Sequence, residues 1–325
     1  MDDNIVNIKI WGAVIMINFK RVKNITIFVF SWIVISYLPY NANATSPEKI
    51  GVIMLHAKWS MPSKHEDWWK KIGKQKVFKR KFQNKCGKGP WRCSKDKTIV
   101  GHIKADMRLV EFSLHDDGFL IEAPNCAWSK TRKYDLPVDK ALEQCIVPRI
   151  KRLKARGAAK IVIMGKSLGA NMAIRAGVII DGLHGIVAMA PGHRPEKPYI
   201  ANKHAADVEH ARGKIEEGKG AEKVDYLDIN QGQEMQVSIA AKSYFSFFAP
   251  KGEAVMLLNA PKIKNNIPIL WIAGDADIIT TDGTGKKIFD ATPKNPKSKY
   301  IEVSGGHDSV GENGTDKIVE WIKSL

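Results

Sequence analysis

Six short apolar runs recur from residue 50 onward: Ile50–Leu55, Phe119–Ala123, Ile161–Met164, Ile186–Ala190, Ile269–Ala273 and a weaker Tyr300–Val303. Short apolar runs with little polar alternation predict strands buried on both faces of a parallel sheet. Between them the period lengthens. Val138, Leu142, Cys145, Ile146, Ile150 and Leu153 recur at three- and four-residue spacing and predict a helix over Pro137–Arg156, with Asp135 as its cap and Gly157 at its end. Ser167–Ile180 reads as a short Ala-rich helix, and Ile318, Trp321, Ile322 and Leu325 form one apolar stripe on a last helix. Strands alternating with helices predict an α/β fold with a mostly parallel sheet of about six strands.

Two segments interrupt the rhythm. Residues 195–261 fall between two predicted strands and contain helical stretches, glycines and the aromatic cluster Tyr244-Phe245-Ser246-Phe247-Phe248. They are expected to form a helical cap at the sheet edge where open α/β sheets bind ligands. Lys64–Lys104 carries 14 Lys or Arg against three acidic residues, so much of the net charge of +17 sits in one basic insertion. Charge runs are by default solvated faces. Trp68, Trp69 and Trp91 lie among these lysines, a mixture that suits an anionic surface with apolar anchors.

The start of the chain has a different character. Ile25–Leu38 is almost wholly apolar, follows Lys20, Arg21 and Lys23, and is followed by Ala42-Asn43-Ala44. This is the pattern of a secretory signal peptide over residues 1–44, cleaved after Ala44, with a domain over 45–325. The run is shorter than the roughly 20 residues of a bilayer span, so a membrane anchor is the weaker reading. Met16 offers an alternative start with its own basic flank. Export to the periplasm or medium would make disulfides possible among Cys86, Cys93, Cys126 and Cys145. Cys86 and Cys93 flank a Gly/Pro turn and can close a small loop, whereas Cys145 reads as a core thiol on a helix face. No short-spaced Cys/His set suggests zinc, and no cofactor is expected.

The chemistry centres on Ser167. Ile161–Met164 runs into Gly165-Lys166-Ser167-Leu168-Gly169 and then into a helix. Strand, Gly-x-Ser-x-Gly and helix make a tight turn that lifts the serine above the sheet. A phosphate loop is excluded, because Lys160 stands where that motif needs a glycine. A serine needs a base, and the base an orienting acid. Asp275 and Asp277 follow the fifth strand and His307 follows the sixth, giving the chain order Ser, Asp, His.

With these motifs the chain after residue 44, apart from 64–104, resembles the α/β-hydrolases. It is most similar to small bacterial members with a His-x-Lys-Trp-like loop and an Ala-Pro-Gly-His segment. The resemblance implies a minimal α/β-hydrolase fold and a serine hydrolase acting on an ester-like substrate, with thioesters and amides open to the same triad. It implies Ser167 as nucleophile, His307 as base and Asp277, rather than Asp275, as acid. It places the oxyanion loop at His56-Ala57-Lys58-Trp59, with Ala57 where the family usually has glycine, and the backbone N–H groups of Lys58 and Leu168 as donors. His56, Trp59 and His193 are candidates to meet the substrate or brace this loop, and Trp128 is a second candidate pocket wall. A different class of function is an exported binding protein docking on anionic lipid or polysaccharide through its basic insertion. Nucleic acid is not expected, and the oligomeric state is not legible. For export, the expected outcome is that protein recovered from periplasm or medium begins at Thr45. Edman sequencing that finds an intact, membrane-retained chain would show an anchor instead.

Overall fold

The computed structural model describes residues 5–10, 13–18, 49–60, 91–93, 99–102, 106–264 and 267–325. The chain forms two compact units, Met1–Thr45 and Ser46–Leu325. In the first, β1 (Ile5–Ile10) and β2 (Ala13–Asn18) pair antiparallel. The apolar run Ile25–Leu38 and the expected cleavage point lie outside the described residues. Among the described residues no helix is long and apolar enough to cross a membrane.

The second unit begins with β3 (Lys49–Leu55). A small antiparallel pair, β4 (Trp91–Cys93) and β5 (Ile99–His102), belongs to the basic insertion, most of which lies outside the described residues. Then come α1 (Asp106–Asp116), β6 (Leu120–Glu122), α2 (Val138–Ala155), β7 (Ala158–Lys166), α3 (Leu168–Ile179) and β8 (Gly185–Met189). Beyond the segment 195–261 follow β11 (Ile269–Gly274), α7 (Ile278–Thr281), α8 (Thr284–Asp290), β12 (Lys299–Val303) and α9 (Val310–Lys323).

The six predicted strands form one parallel sheet in the order β12-β11-β8-β7-β3-β6. Its two faces explain the unbroken apolar runs. Ile53, Leu55, Ile161, Ile163, Ile186 and Trp271 pack on one side with α2, α3 and the 195–261 segment. Their neighbours Val52, Met54, Val162, Met164, Val187 and Ile272 pack on the other side with α1 and α9. The chain steps from β3 out to β6, returns past β3 to β7, and then continues toward β12. Strand order therefore reverses between β3 and β7, which opens a crevice at their carboxyl ends.

The segment 195–261 departs from the expected helical cap. It holds α4 (Pro198–Glu216), but then an antiparallel hairpin, β9 (Lys223–Asn230) and β10 (Gln233–Ala240), before α5 (Ala241–Phe248) and α6 (Met256–Asn259). Gln231 and Gly232 both have positive φ (50° and 81°), the two-residue turn whose twist matches paired strands. Tyr226, Asp228, Val237 and Ile239 are the buried positions of the hairpin. An aspartate at an inward position hid the alternation from a hydrophobicity reading. The aromatic cluster lies on α5, where Tyr244, Phe247 and Phe248 are fully buried and continuous with the core. Tyr244 stacks between Tyr226 and Phe248, at 4.3 and 4.5 Å between ring centroids.

Two local expectations change. Asp135 does not cap α2, because its carboxylate accepts from Arg132 Nε at 2.8 Å. Instead the Val138 N–H donates to Ser246 Oγ of α5 at 3.0 Å. Cys145 is not a free core thiol but is bonded to Cys126, 19 residues away with 5.5 Å between Cα atoms. Cys86 lies outside the described residues, so the small Cys86–Cys93 loop does too. Closing the loop between Cys126 and Cys145 stabilises the fold by about 3 kcal/mol through the unfolded chain. Replacing both Cys126 and Cys145 by Ala is expected to lower unfolding stability by about that amount in denaturant titrations. An unchanged midpoint in an oxidised sample would show that the bridge does not form.

Candidate active site

Ser167 occupies a backbone conformation that its residue type disfavours, φ 54° and ψ −123°. Such a residue costs about 1–3 kcal/mol unless the surroundings enforce it. They do so here by close approach. A Cβ on Gly165 would stand 2.0 Å from the Gly169 carbonyl oxygen, and one on Gly169 would stand 2.4 Å from that of Leu55. Neither position can carry a side chain, so β7, α3 and the end of β3 meet backbone to backbone. The Ser167 N–H is shared between the carbonyls of Met189 and Ala190, at 3.0 and 3.1 Å. Ser167 is the N-cap of α3, yet its side chain makes no capping bond. A serine at that position usually caps its helix; this one leaves its hydroxyl uncommitted to that role.

The structure brings His307 and Asp277 to the same sheet edge. His307 Nδ1 donates to Asp277 Oδ2 at 2.8 Å, and Asp277 is 3% exposed. The other carboxylate oxygen accepts the Ile279 N–H at 3.2 Å and caps α7. Asp275 faces elsewhere, accepting the Gly305 N–H at 2.8 Å, so it shapes the turn that follows β12. Gly192 locates serine and histidine relative to one another. A Cβ built there would be 3.1 Å from Ser167 Oγ, 2.9 Å from His307 Cε1 and 3.5 Å from His307 Nε2. The hydroxyl and the imidazole thus share one small space over an exposed glycine. Lys166 Nζ adds a tie to Asp308 Oδ1 at 3.0 Å, joining the residue before the serine to the residue after the histidine.

The loop after β3 is fixed from several sides. The Ser60 N–H closes a turn onto the Ala57 carbonyl at 3.2 Å, and the Trp59 N–H donates to the Trp128 carbonyl at 3.1 Å. Trp59 holds φ 55° inside that turn. Lys58 has a side chain only 7% exposed, while the residue as a whole is half-buried. Its side chain is turned in and part of its main chain is left accessible. Leu168 is the first residue of α3, where a helix has amides without intrahelical partners.

The candidate substrate-binding residues divide differently from expectation. His56 Nε2 accepts the Cys126 N–H at 3.1 Å, so its proton is on Nδ1, which faces the Ala57 carbonyl at 2.9 Å. His193 Nε2 donates to the Phe247 carbonyl at 2.7 Å. Both rings are buried; His56 spends both ring nitrogens on backbone and His193 its Nε2, bonds that brace the surrounding loops. Trp59 Nε1 donates to Asp228 at 2.7 Å, leaving its half-buried ring as the part a ligand can meet. Trp128 is fully buried and donates to the His56 carbonyl at 2.8 Å, so it is core.

Sequence reasoning missed Asp228 altogether. This β9 carboxylate is fully buried and pairs with Lys58 Nζ. It also accepts from Trp59 Nε1 and, at 3.0 Å, from Tyr134 Oη. Lys58 Nζ additionally donates to the Ile229 carbonyl at 2.9 Å. Burial alone would raise the Asp228 pKa, but the lysine and these hydrogen bonds outweigh it and hold the carboxyl below its ordinary value. Among the described residues no group of His, Cys, Asp and Glu could hold a metal ion.

No protein-family model and no curated protein sequence matches the chain. Solved structures do. A structure of the metagenome-derived lipolytic enzymes LipS and LipT matches 86% of this chain and 93% of its own at 13% identity, with a TM-score of 0.50. The DcsB complex with a substrate analogue matches 85% and 91% at 14% identity, again at 0.50. The chain has the α/β-hydrolase fold. An esterase of Pyrococcus furiosus is also similar, at 16% identity and a TM-score of 0.45 over 86% of this chain and 82% of its own.

Within this hydrolase fold the two bracing histidines carry a consequence for stability. Burial lowers the pKa of His56 to about 4 and that of His193 to about 3, from 6.5. The unfolded chain therefore binds more protons below pH 6.5, and stability is lost as pH falls from there toward 4. Each histidine adds a slope of about 1.4 kcal/mol per pH unit across that window. Denaturant titrations at pH 7 and 5 are expected to show this decline, with a shallower one in His193→Gln. Equal declines in both proteins would contradict the assignment.

Proposed function

We propose that the protein is a serine hydrolase of carboxylic esters working through Ser167, His307 and Asp277. The observation that carries this reading is the space over Gly192, flanked by Ser167 Oγ on one side and on the other by an imidazole whose Nδ1 is held by a buried carboxylate. Because Nδ1–H is donated to Asp277, the lone pair of His307 is on Nε2. It takes the proton of Ser167 Oγ as that oxygen bonds the substrate carbonyl carbon. The carbonyl electron pair moves onto oxygen, where the backbone N–H groups of Lys58 and Leu168 stabilise it. As the tetrahedral adduct collapses, the bond to the leaving oxygen breaks and His307 returns the proton to it. Water then repeats the sequence on the acyl-enzyme. Asp277 keeps the tautomer and stabilises the imidazolium without taking the proton.

The similarity to a lipolytic enzyme of the same fold supports the ester reading. Thioesters and amides use the same groups, and the shape of the substrate site separates them. The hairpin and helices of 195–261 serve as the cap over this site, shielding the acyl-enzyme from bulk water. The N-terminal segment directs the enzyme out of the cytoplasm.

Hydrolysis of short p-nitrophenyl esters tests the assignment. Ser167→Ala and His307→Ala are each expected to lower kcat by about 10⁶, and Asp277→Asn by about 10⁴. Asp275→Asn is expected to leave kcat within a few-fold of wild type. Full activity in Ser167→Ala would overturn the proposal, and a larger loss in Asp275→Asn than in Asp277→Asn would move the acid by two residues.

A further inference from the structure

The oxyanion loop of this protein is anchored by a residue far away in sequence. Lys58 is the loop residue proposed above to donate its N–H to the developing oxyanion, and its side chain runs inward to the Asp228 carboxylate on β9. The next residue, Trp59, donates its indole N–H to the other oxygen of the same carboxylate at 2.7 Å. That oxygen also accepts from Tyr134 Oη at 3.0 Å, and Tyr134 packs edge-on against Trp59 at 5.6 Å between centroids. Lys58 Nζ lies 5.3 Å over the Phe248 ring of α5. Two consecutive side chains of the loop, one on each side of the peptide that joins them, are therefore pinned to one fully buried carboxylate. Trp59 and Tyr134 both hold positive φ, 55° and 58°, which ordinary side chains disfavour.

We infer that Asp228 is a positioning residue for catalysis, holding the Lys58 N–H in register with that of Leu168 through the Lys58 and Trp59 side chains. The inference rests on the proposed hydrolase reading. Its physical basis is that a buried ion pair is a poor source of net stability but a strict geometric constraint. The carboxylate has three side-chain donors converging on it, and their positions fix the turn. An oxyanion donor acts only when it lies at hydrogen-bond distance from where the oxygen will be, so a displacement well under the size of an atom lowers turnover. The same anchor ties the cap to the catalytic loop, because β9 belongs to the 195–261 insertion. Movement of the hairpin displaces the oxyanion site directly.

The test is kinetic, with p-nitrophenyl acetate and with an aryl trifluoromethyl ketone as an analogue that forms an oxyanion on the serine. Asp228→Asn keeps the size of the side chain and removes its charge. It is expected to lower kcat by about 30-fold or more with KM changed less than about threefold, and to weaken the ketone in proportion to kcat/KM. Tyr134→Phe, which deletes a single hydrogen bond to Asp228, is expected to give the same pattern at about three- to tenfold and serves if Asp228→Asn does not fold. A purely structural role would lower the unfolding temperature while folded protein kept wild-type kcat and ketone affinity in either variant. That result would overturn the inference and leave Ser167-dependent turnover in the wild type intact. Wild-type protein with no Ser167-dependent turnover would overturn the hydrolase reading and the inference together.

Discussion

The crossing of β3, β7 and α3 admits no side chain at its centre. Gly165 and Gly169 bring the elbow's backbone against itself and against the carbonyls that end β3. This one steric constraint does three things. It drives Ser167 into a conformation that would otherwise cost about 1–3 kcal/mol. It sets the first turn of α3 beside the loop at His56–Trp59. It also puts the serine at the point of strand-order reversal, where the crevice of an open α/β sheet lies. His307 and Asp277 then need only be delivered by the last two strands, and the turns after β11 and β12 are tied together by Asp275 and the Gly305 backbone.

The loop beside the elbow is held by opposite means. Polar groups, not glycines, fix it: His56 and Trp128 bond backbone, and Asp228 gathers Lys58, Trp59 and Tyr134. Removing one partner of such a buried pair leaves an uncompensated charge and costs about 3–5 kcal/mol. A buried pair of this kind is a costly way to gain stability, so its value lies in the geometry that it enforces. The fold thus combines a rigid backbone junction under Ser167 with a charged clamp on the neighbouring loop. The carboxylate of the clamp comes from the insertion between β8 and β11, so that insertion helps to shape the loop beside the elbow.

The sheet was legible because its central strands β3, β7, β8 and β11 are buried on both faces and read as short apolar runs, while the edge strand β12, with only Val303 buried, gave the weakest run. Ser167, Asp277 and His307 were legible because each follows such a run on the same edge. The remainder depends on contacts between residues far apart in sequence. Nothing in the local pattern around Asp228 marks it as the partner of Lys58, and its polarity hid the β9 alternation. Ser246 sits in an aromatic cluster, yet its hydroxyl caps α2. Cys145 shares the apolar stripe of α2, and only the path of the preceding loop shows that Cys126 reaches it. His56 and His193 have the residue type of catalytic groups, but burial keeps them neutral and turns them to carbonyl and amide partners.

A fold that works as proposed activates one serine. Peptide mapping by mass spectrometry after exposure to a fluorophosphonate tests it without knowledge of the substrate. The expected result is a stoichiometric adduct on the peptide carrying Gly165-Lys166-Ser167, formed by native protein and lost when the protein is unfolded before exposure. No adduct on native protein, or an adduct on a different serine, would contradict it.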